Sequence, residues 1–437
     1  MRPIRKIVLF PVLLMLTTGC LSEKAKELIK DAVGNAPSDP NASEPDPSAQ
    51  WDLNRSVDHT NSTSDICTDG SGHDTEIFSC INDLISGGQI AGFSNVVYDN
   101  RDGDHTVINA NLYPGLTYRH GGNGAHSPLG ANSQALAWSG DYSLTKEIAI
   151  IGNASLCYGT TDCSSVGRWL MSTRKHDQLE NIYNSNSLYM HPEHHDHDDR
   201  DRLWYMTPYT LASQNSSGAE MDEISKLLHT TAAFKPDVFA KIMDAGLLAP
   251  TLNLIFRMAR VETQEDYVDP NYSQYAHISA YDNDNNVHKM VRLANQMELN
   301  EIPPRAKLSL ISETTPEFSE YLVSVTTPSA IARLKKYNGV TDITLVVSLE
   351  DSYDINGRPL TYHWVRLRGD ASEVQIRALN PQASQVEITF HTISERAIPL
   401  ITRTILSKLS VVGAFVHNGA YFSAPAYVTY YSDYRNQ

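Results

Sequence analysis

The chain has 437 residues, 20% of them charged, and a net charge of −16. That acidic balance argues against nucleic acid as a partner and against polybasic contact with a membrane. The length suggests two folded domains, or one large domain with an appendage.

The chain opens MRPIRKIVLFPVLLMLTTGC, with Arg2, Arg5 and Lys6 ahead of an apolar run from Ile7 to Leu16. A charged start followed by a short apolar stretch reads as an export signal, too short for a membrane-spanning helix. The ending LTTGC resembles the lipobox of bacterial lipoproteins, although Thr17 stands where leucine is usual and Leu16 lies one place earlier. The resemblance implies a signal over residues 1–19, cleavage before Cys20 and lipidation of that thiol. Several acyl chains on Cys20 would hold the protein firmly on a lipid bilayer. Leu21 and Ser22 follow the cysteine, with no aspartate, which implies the outer membrane. Residues 20–62 contain one short helical pattern, EKAKELIKDAV, and then a stretch rich in Pro, Ser, Asn and Asp. It has too few apolar residues to bury and reads as a disordered tether.

Four further cysteines, Cys67, Cys80, Cys157 and Cys163, make an even count in an exported chain, which predicts disulfides. Three pairings are open. The local pairs Cys67–Cys80 and Cys157–Cys163 are favoured because short loops lose least entropy on closure.

Residues 63–300 form the first folded region. IAGFSNVVYD, HTVINANLY, TKEIAIIGNAS, SLYMHPEH and WYMTPYTLASQ read as strands. Helical spacing then takes over in EMDEISKLLHTTAAF, with Met221, Ile224, Leu227 and Leu228 on one face. It continues through KPDVFAKIMDAGLLAPTLNLIFRMAR, where Pro236 suits a first helical turn and Pro250 is expected to divide two helices. NNVHKMVRLANQM closes the region as a third amphipathic pattern. Strands and helices mix without clear alternation, so an α+β domain is expected.

Residues 301–433 form the second. DITLVVSLEDSYDINGRPLTYHWVRLRG has a turn at Asp354, Asn356 and Gly357, then Tyr362 and Trp364 alternating along a strand. With the opening PPRAKL, this stretch resembles an immunoglobulin-like domain of the PKD or cadherin type. The resemblance implies an all-β sandwich with Trp364 plugging its core. Residues 312–338 depart from a compact module and include the helical pattern PSAIARLKKY; a long connection at 392–410 departs too. HNGA carries an Asn-Gly hairpin signal. As a whole, the first region resembles only predicted secreted bacterial proteins of unassigned activity, which implies no site residues.

Four features could carry chemistry. HPEHHDHDDRDR, from His191 to Arg202, is dense in metal-ligating side chains. In an extended chain His191, Glu193, His195 and His197 share a face, with His194, Asp196 and Asp198 on the other. The first set could hold a divalent metal, zinc or calcium; the plainer reading is a solvated acidic loop. YPGLTYRHGGNGAH supplies Tyr118, Arg119, His120 and His126 on a Gly-rich stretch that reads as a loop. These side chains suit sugar or carboxylate recognition, and the set resembles the base, proton donor and charge neutraliser of uronate-eliminating enzymes. YDNRDGDH and YDNDNNVH share Y-D-N and a following His. Both could bind calcium, or serve as turns that exploit Asn and Asp. In YTLASQNSSGAEMDE, Ser216 or Ser217 is expected to cap a helix whose first turn holds Glu220 and Asp222.

There is no P-loop, no dinucleotide fingerprint and no nucleic-acid module. Two functions fit. One is a surface binding or scaffolding lipoprotein that recognises glycan or protein. The other is an exported hydrolase or polysaccharide lyase, metal-dependent or not, with its site in the α+β domain.

Overall fold

The computed structural model describes residues 74–100, 106–120, 146–153, 176–192, 207–213, 218, 220–278, 281, 285–314, 321–336, 342–391, 396–399 and 404–434. Residues 48–437 group as one compact unit. The export signal, Cys20 and the tether lie outside the described residues.

A helix, α1 (Asp74–Ser86), precedes five strands: β1 (Val96–Asn100), β2 (Thr117–His120), β3 (Ala149–Asn153), β4 (Ser187–Pro192) and β5 (Thr210–Ser213). They form one sheet in the order β2-β1-β3-β4-β5. Every pairing in it is parallel. The expected mixture of helices and strands is present, but this sheet is α/β in character rather than α+β. β1 and β3 are buried along their whole length. Parallel strands covered on both faces become continuous apolar runs, as in Ala149 to Ile151 of β3.

Two sequence expectations fail here. HTVINANLY is not a strand; among its described residues only a short 3-10 turn forms, at Ala110–Leu112. The strand is β2, inside the stretch read as a Gly-rich loop.

Helices α2 (His176–Tyr183), α3 (Met221–Ala232), α4 (Pro236–Ala245), α5 (Leu248–Met258), α6 (Ser273–Ala276) and α7 (Val287–Gln296) follow in chain order. Ile224, Leu227, Ile242, Leu252, Phe256 and Met290 pack into the core that also takes Ile151 and Leu188 of the sheet. Pro236 occupies the first turn of α4, as expected. The break between α4 and α5 falls at Gly246, whose φ is 71°, and not at Pro250. Pro250 lies in the first turn of α5, where a missing N–H costs no helical bond. α7 starts at Asn286, whose side chain accepts the Lys289 N–H. Among the described residues no single helix is long and apolar enough to cross a membrane.

The C-terminal part is built of sheets. β6 (Ser309–Thr314), β7 (Tyr321–Thr327), β8 (Ala330–Lys336), β9 (Ile343–Ser348), β10 (Thr361–Arg368), β11 (Val374–Ala378) and β12 (Gln385–Phe390) come first. β13 (Arg396–Pro399), β14 (Thr404–Ser407), β15 (Leu409–His417) and β16 (Ala426–Tyr434) follow. One sheet runs β10-β15-β16-β8-β7, a second β11-β12-β9-β6, and β13-β14 is a separate ribbon. All pairs are antiparallel except β16 with β8. Leu345, Val347 and Ile388 of the four-stranded sheet meet Ile331, Val412 and Val428 of the five-stranded one in a shared core.

PSAIARLKKY is therefore strand β8, not helix. Its period is two: Ile331 enters the core between the sheets, while Ala332 and Leu334 face the opposite way. Trp364 does not plug that core. It packs half-buried against it and donates its indole N–H to the Ala383 carbonyl, 2.8 Å away. HNGA does lie between two paired antiparallel strands, β15 and β16, but the connection is longer than an Asn-Gly turn: β15 ends at His417, β16 begins at Ala426, and His417 bridges Phe422 between them. Asn418 instead ties the turn down, through its amide, to the Ile302 carbonyl at 2.9 Å and to Asp354 at 2.6 Å.

Candidate functional site

In an open parallel sheet, ligands bind beyond the carboxyl ends of the strands, where the strand order reverses. In β2-β1-β3-β4-β5 the reversal falls between β1 and β3. Their last residues, Asn100 and Asn153, are partners in register.

A buried polar cluster surrounds this point. Asp99, Asn100, Asn153 and Glu220 are each no more than 1% exposed. Glu220 precedes α3 as its N-cap residue. One of its oxygens accepts from the Asn153 amide at 2.9 Å and from the Thr106 hydroxyl; the other accepts the Gly218 N–H at 3.0 Å. The expected caps, Ser216 and Ser217, lie outside the described residues. Thr106 has a φ of 55°, an uncommon conformation for a β-branched residue. Its carbonyl is held by the Tyr98 hydroxyl at 2.8 Å and the Asn100 amide at 3.4 Å.

Asp99 lies on the other face of β1. It pairs in register with Gly152 of β3, and Gly152 with Tyr189 of β4. The Tyr189 ring lies across Gly152 and donates its hydroxyl to Asp99 Oδ2 at 2.7 Å. A Cβ on Gly152 would sit 2.5 Å from the Tyr189 ring and 2.6 Å from the Asp99 carbonyl oxygen.

Buried carboxylates are expensive unless hydrogen-bonded. A parallel sheet needs none at its edge. Here two acids, with donors arranged for them, stand where such sheets take ligands. Carboxylates and amides are the groups that hydrogen-bond hydroxyls, and a carboxylate is a group that can transfer a proton.

Of the expected site residues, Tyr118 lies half-buried in β2, its ring centroid 5.4 Å from that of Tyr98. Arg119 and His120 follow it, in register with Asp99 and Asn100. His126 lies outside the described residues. His191 is in β4 and pairs with Ala212, while Glu193, His195 and His197 lie outside the described residues. β2 and β4 are separated by β1 and β3, so their backbones stand about 14 Å apart, three strand spacings. The topology thus sets the described members of the two expected clusters, Tyr118 to His120 and His191, on opposite sides of Asn100 and Asn153. Among the described residues there is no group of three His, Cys, Asp or Glu side chains fit to hold a metal. Cys80, on α1, is disulfide-bonded; Cys67, Cys157 and Cys163 lie outside the described residues.

Sequence reasoning missed Asn153, Thr106 and Tyr189. Asp99 and Glu220 were in view, one as a turn ligand and the other as a helix-start acid, but nothing in their spacing brings them to the same edge.

No protein-family model matches the chain, and no curated protein matches it. Among solved structures it is similar to a nucleoside hydrolase-related hypothetical protein from Saccharophagus degradans associated with carbohydrate metabolism, at 9% identity over 65% of this chain and 71% of that one, with a TM-score of 0.21. It is similar to an endo-beta-1,4-mannanase from Thermotoga petrophila at 10% identity over 84% of this chain and 63% of that one, with a TM-score of 0.18. Likeness at this level carries no argument about fold or activity.

Proposed function

We propose that this chain is an exported lipoprotein, anchored through Cys20, that recognises a hydroxyl-rich, sugar-containing ligand at the carboxyl edge of its parallel sheet. The observation that supports it is the Tyr189–Asp99 pair on one face of the sheet and the Asn153–Glu220–Thr106 node on the other, buried polar chemistry at the point where the strand order reverses. Hydrogen-bonding groups at one edge of an apolar sheet suit a polyhydroxylated ligand. The same pair favours hydrolysis over mere binding, because a positioned carboxylate can act as general acid or base toward a glycosidic bond. The C-terminal sheets are read as an immunoglobulin-like module of the PKD type, a reading supported by their shared core and by the Asp354 turn.

The test is a glycan panel, followed for both binding and release of reducing sugar by the full chain and by Asp99→Asn. Binding with turnover, and turnover lost in the variant, supports a hydrolase. Binding without turnover leaves a recognition protein. No binding to any member, with the protein folded, overturns the proposal. Phase partition of the wild type and of Cys20→Ser tests the anchor, and only the wild type should enter the detergent phase.

A further inference from the structure

The five-stranded C-terminal sheet is apolar on both faces. One face meets the four-stranded sheet. The other turns Val325, Leu334, Val365 and Phe415 toward Leu254 and Met258 of α5 and Tyr267 beyond it. This seam joins the two folded parts of the chain.

Its middle carries the positive charge of Arg257. Arg257 is 2% exposed. Its Nε donates to Asn253 at 2.6 Å and its Nη1 to the Ala276 carbonyl at 3.4 Å. Its guanidinium lies 5.6 Å from the ring centroids of Tyr281 and Tyr427. No carboxylate among the described residues pairs with it.

His277, at the end of α6, completes the cage and is also 2% exposed. Nε2 stands 3.0 Å from the Tyr267 carbonyl, so it carries the proton and donates. Nδ1 stands 3.3 Å from the Tyr427 hydroxyl, which then donates to it. Both nitrogens are used by the neutral ring. The groups facing it are Arg257 from α5, Tyr267 from the segment after α5, Phe415 from β15 and Tyr427 from β16. The charge of Arg368 of β10 acts on Tyr427. Glu265, next along that segment, is exposed, and Asp266 accepts from the Thr263 N–H at 3.0 Å. Among the described residues the charged group that acts on the His277 ring is a cation, Arg257.

We propose that this seam is an acid-sensitive joint with His277 as its sensor: the neutral imidazole closes it, and a proton on His277 beside Arg257 opens it. Burial first, and then the charge of Arg257, hold the His277 pKa well below its ordinary value. The sign follows. The closed seam excludes the proton and the open one admits it near pH 6.5. The contribution of His277 is thus complete above about pH 6.5 and lost as pH falls below it.

The experiment is hydrogen exchange on the full chain between pH 7.5 and 5, corrected for the intrinsic pH dependence of exchange. Amides of α5, β15 and β16 should lose protection before those of β9 and β12. One proton corresponds to about a tenfold change in the opening equilibrium per pH unit, and His277→Gln should remove that one-proton slope. A variant that opens with the wild-type slope overturns the proposal. Should the variant fail to fold, the wild type alone decides: loss of protection at the seam and in β9–β12 together would mean global unfolding and would equally overturn it.

Discussion

Tyr189 reaches Asp99 only because Gly152 has no side chain. The close approach is to a ring on one side and to a backbone oxygen on the other, and the oxygen cannot swing away. Gly152→Ala should therefore cost about 1–3 kcal/mol as overpacking and break the Tyr189–Asp99 bond. Chemical denaturation would measure it, and a stability unchanged within error would contradict the geometry. In the sequence Gly152 is only one position of the strand candidate TKEIAIIGNAS, because the need for a small residue comes from a strand two elements later. His229 gives a second prediction at this scale. It stacks on Tyr113, and burial lowers its pKa to about 3 against a weaker opposing hydrogen bond that the ring donates to the Ser225 backbone. Its neutral form stabilises the fold above about pH 6.5, and that contribution drains away as pH falls toward 3. His229→Gln should flatten the acid limb of the stability profile, measured as urea midpoints from pH 7 to 4. An unchanged slope would count against it.

Elements show where local preference and tertiary context part company. PSAIARLKKY is rich in Ala, Leu, Arg and Lys, all good helix formers, yet it is strand β8, because β7 and β16 pair with it on its two sides. The α4–α5 corner shows the converse. Proline was the visible punctuation, but the turn is made by Gly246 in the left-handed region, with no room for a Cβ against the Asn184 carbonyl at 2.5 Å. Gly246→Ala should destabilise by about 1–3 kcal/mol, whereas Pro250→Ala, in a first turn that needs no N–H there, should change stability little. Thermal melts of the two variants settle which residue makes the corner. α2 and the approach to β8 meet in another device the sequence does not display. Arg305, 1% exposed, donates to Glu180 at 2.9 Å, and Ser329 donates to the same oxygen at 2.8 Å. The partners are 125 residues apart in the chain, so no spacing rule finds them.

At the scale of the molecule, the sequence pattern divides the chain between residues 300 and 301, and the sheets after that point do differ from the parallel sheet before it. What composition does not show is that the two parts share cores. One sequence sign was available: LSVVGAFVH in β15 is apolar without alternation, and it is buried at every position but the last. A strand with one wet face alternates, as β12 does. Such a run belongs to a sheet covered on both sides, and here the second cover comes from α5 and the segment beyond it. A module hung on a linker would melt by itself. This one would expose an apolar face on release and would strand Glu180 without Arg305, a buried charge whose loss of partner costs about 3–5 kcal/mol. The described parts should therefore unfold together, in one calorimetric transition at neutral pH. Arg305→Met should lower that transition as a whole rather than split it. Adding Glu180→Gln should recover part of the loss, because the second change removes the stranded charge. Two well-separated transitions in the unmodified chain would show that the seam does not couple the parts.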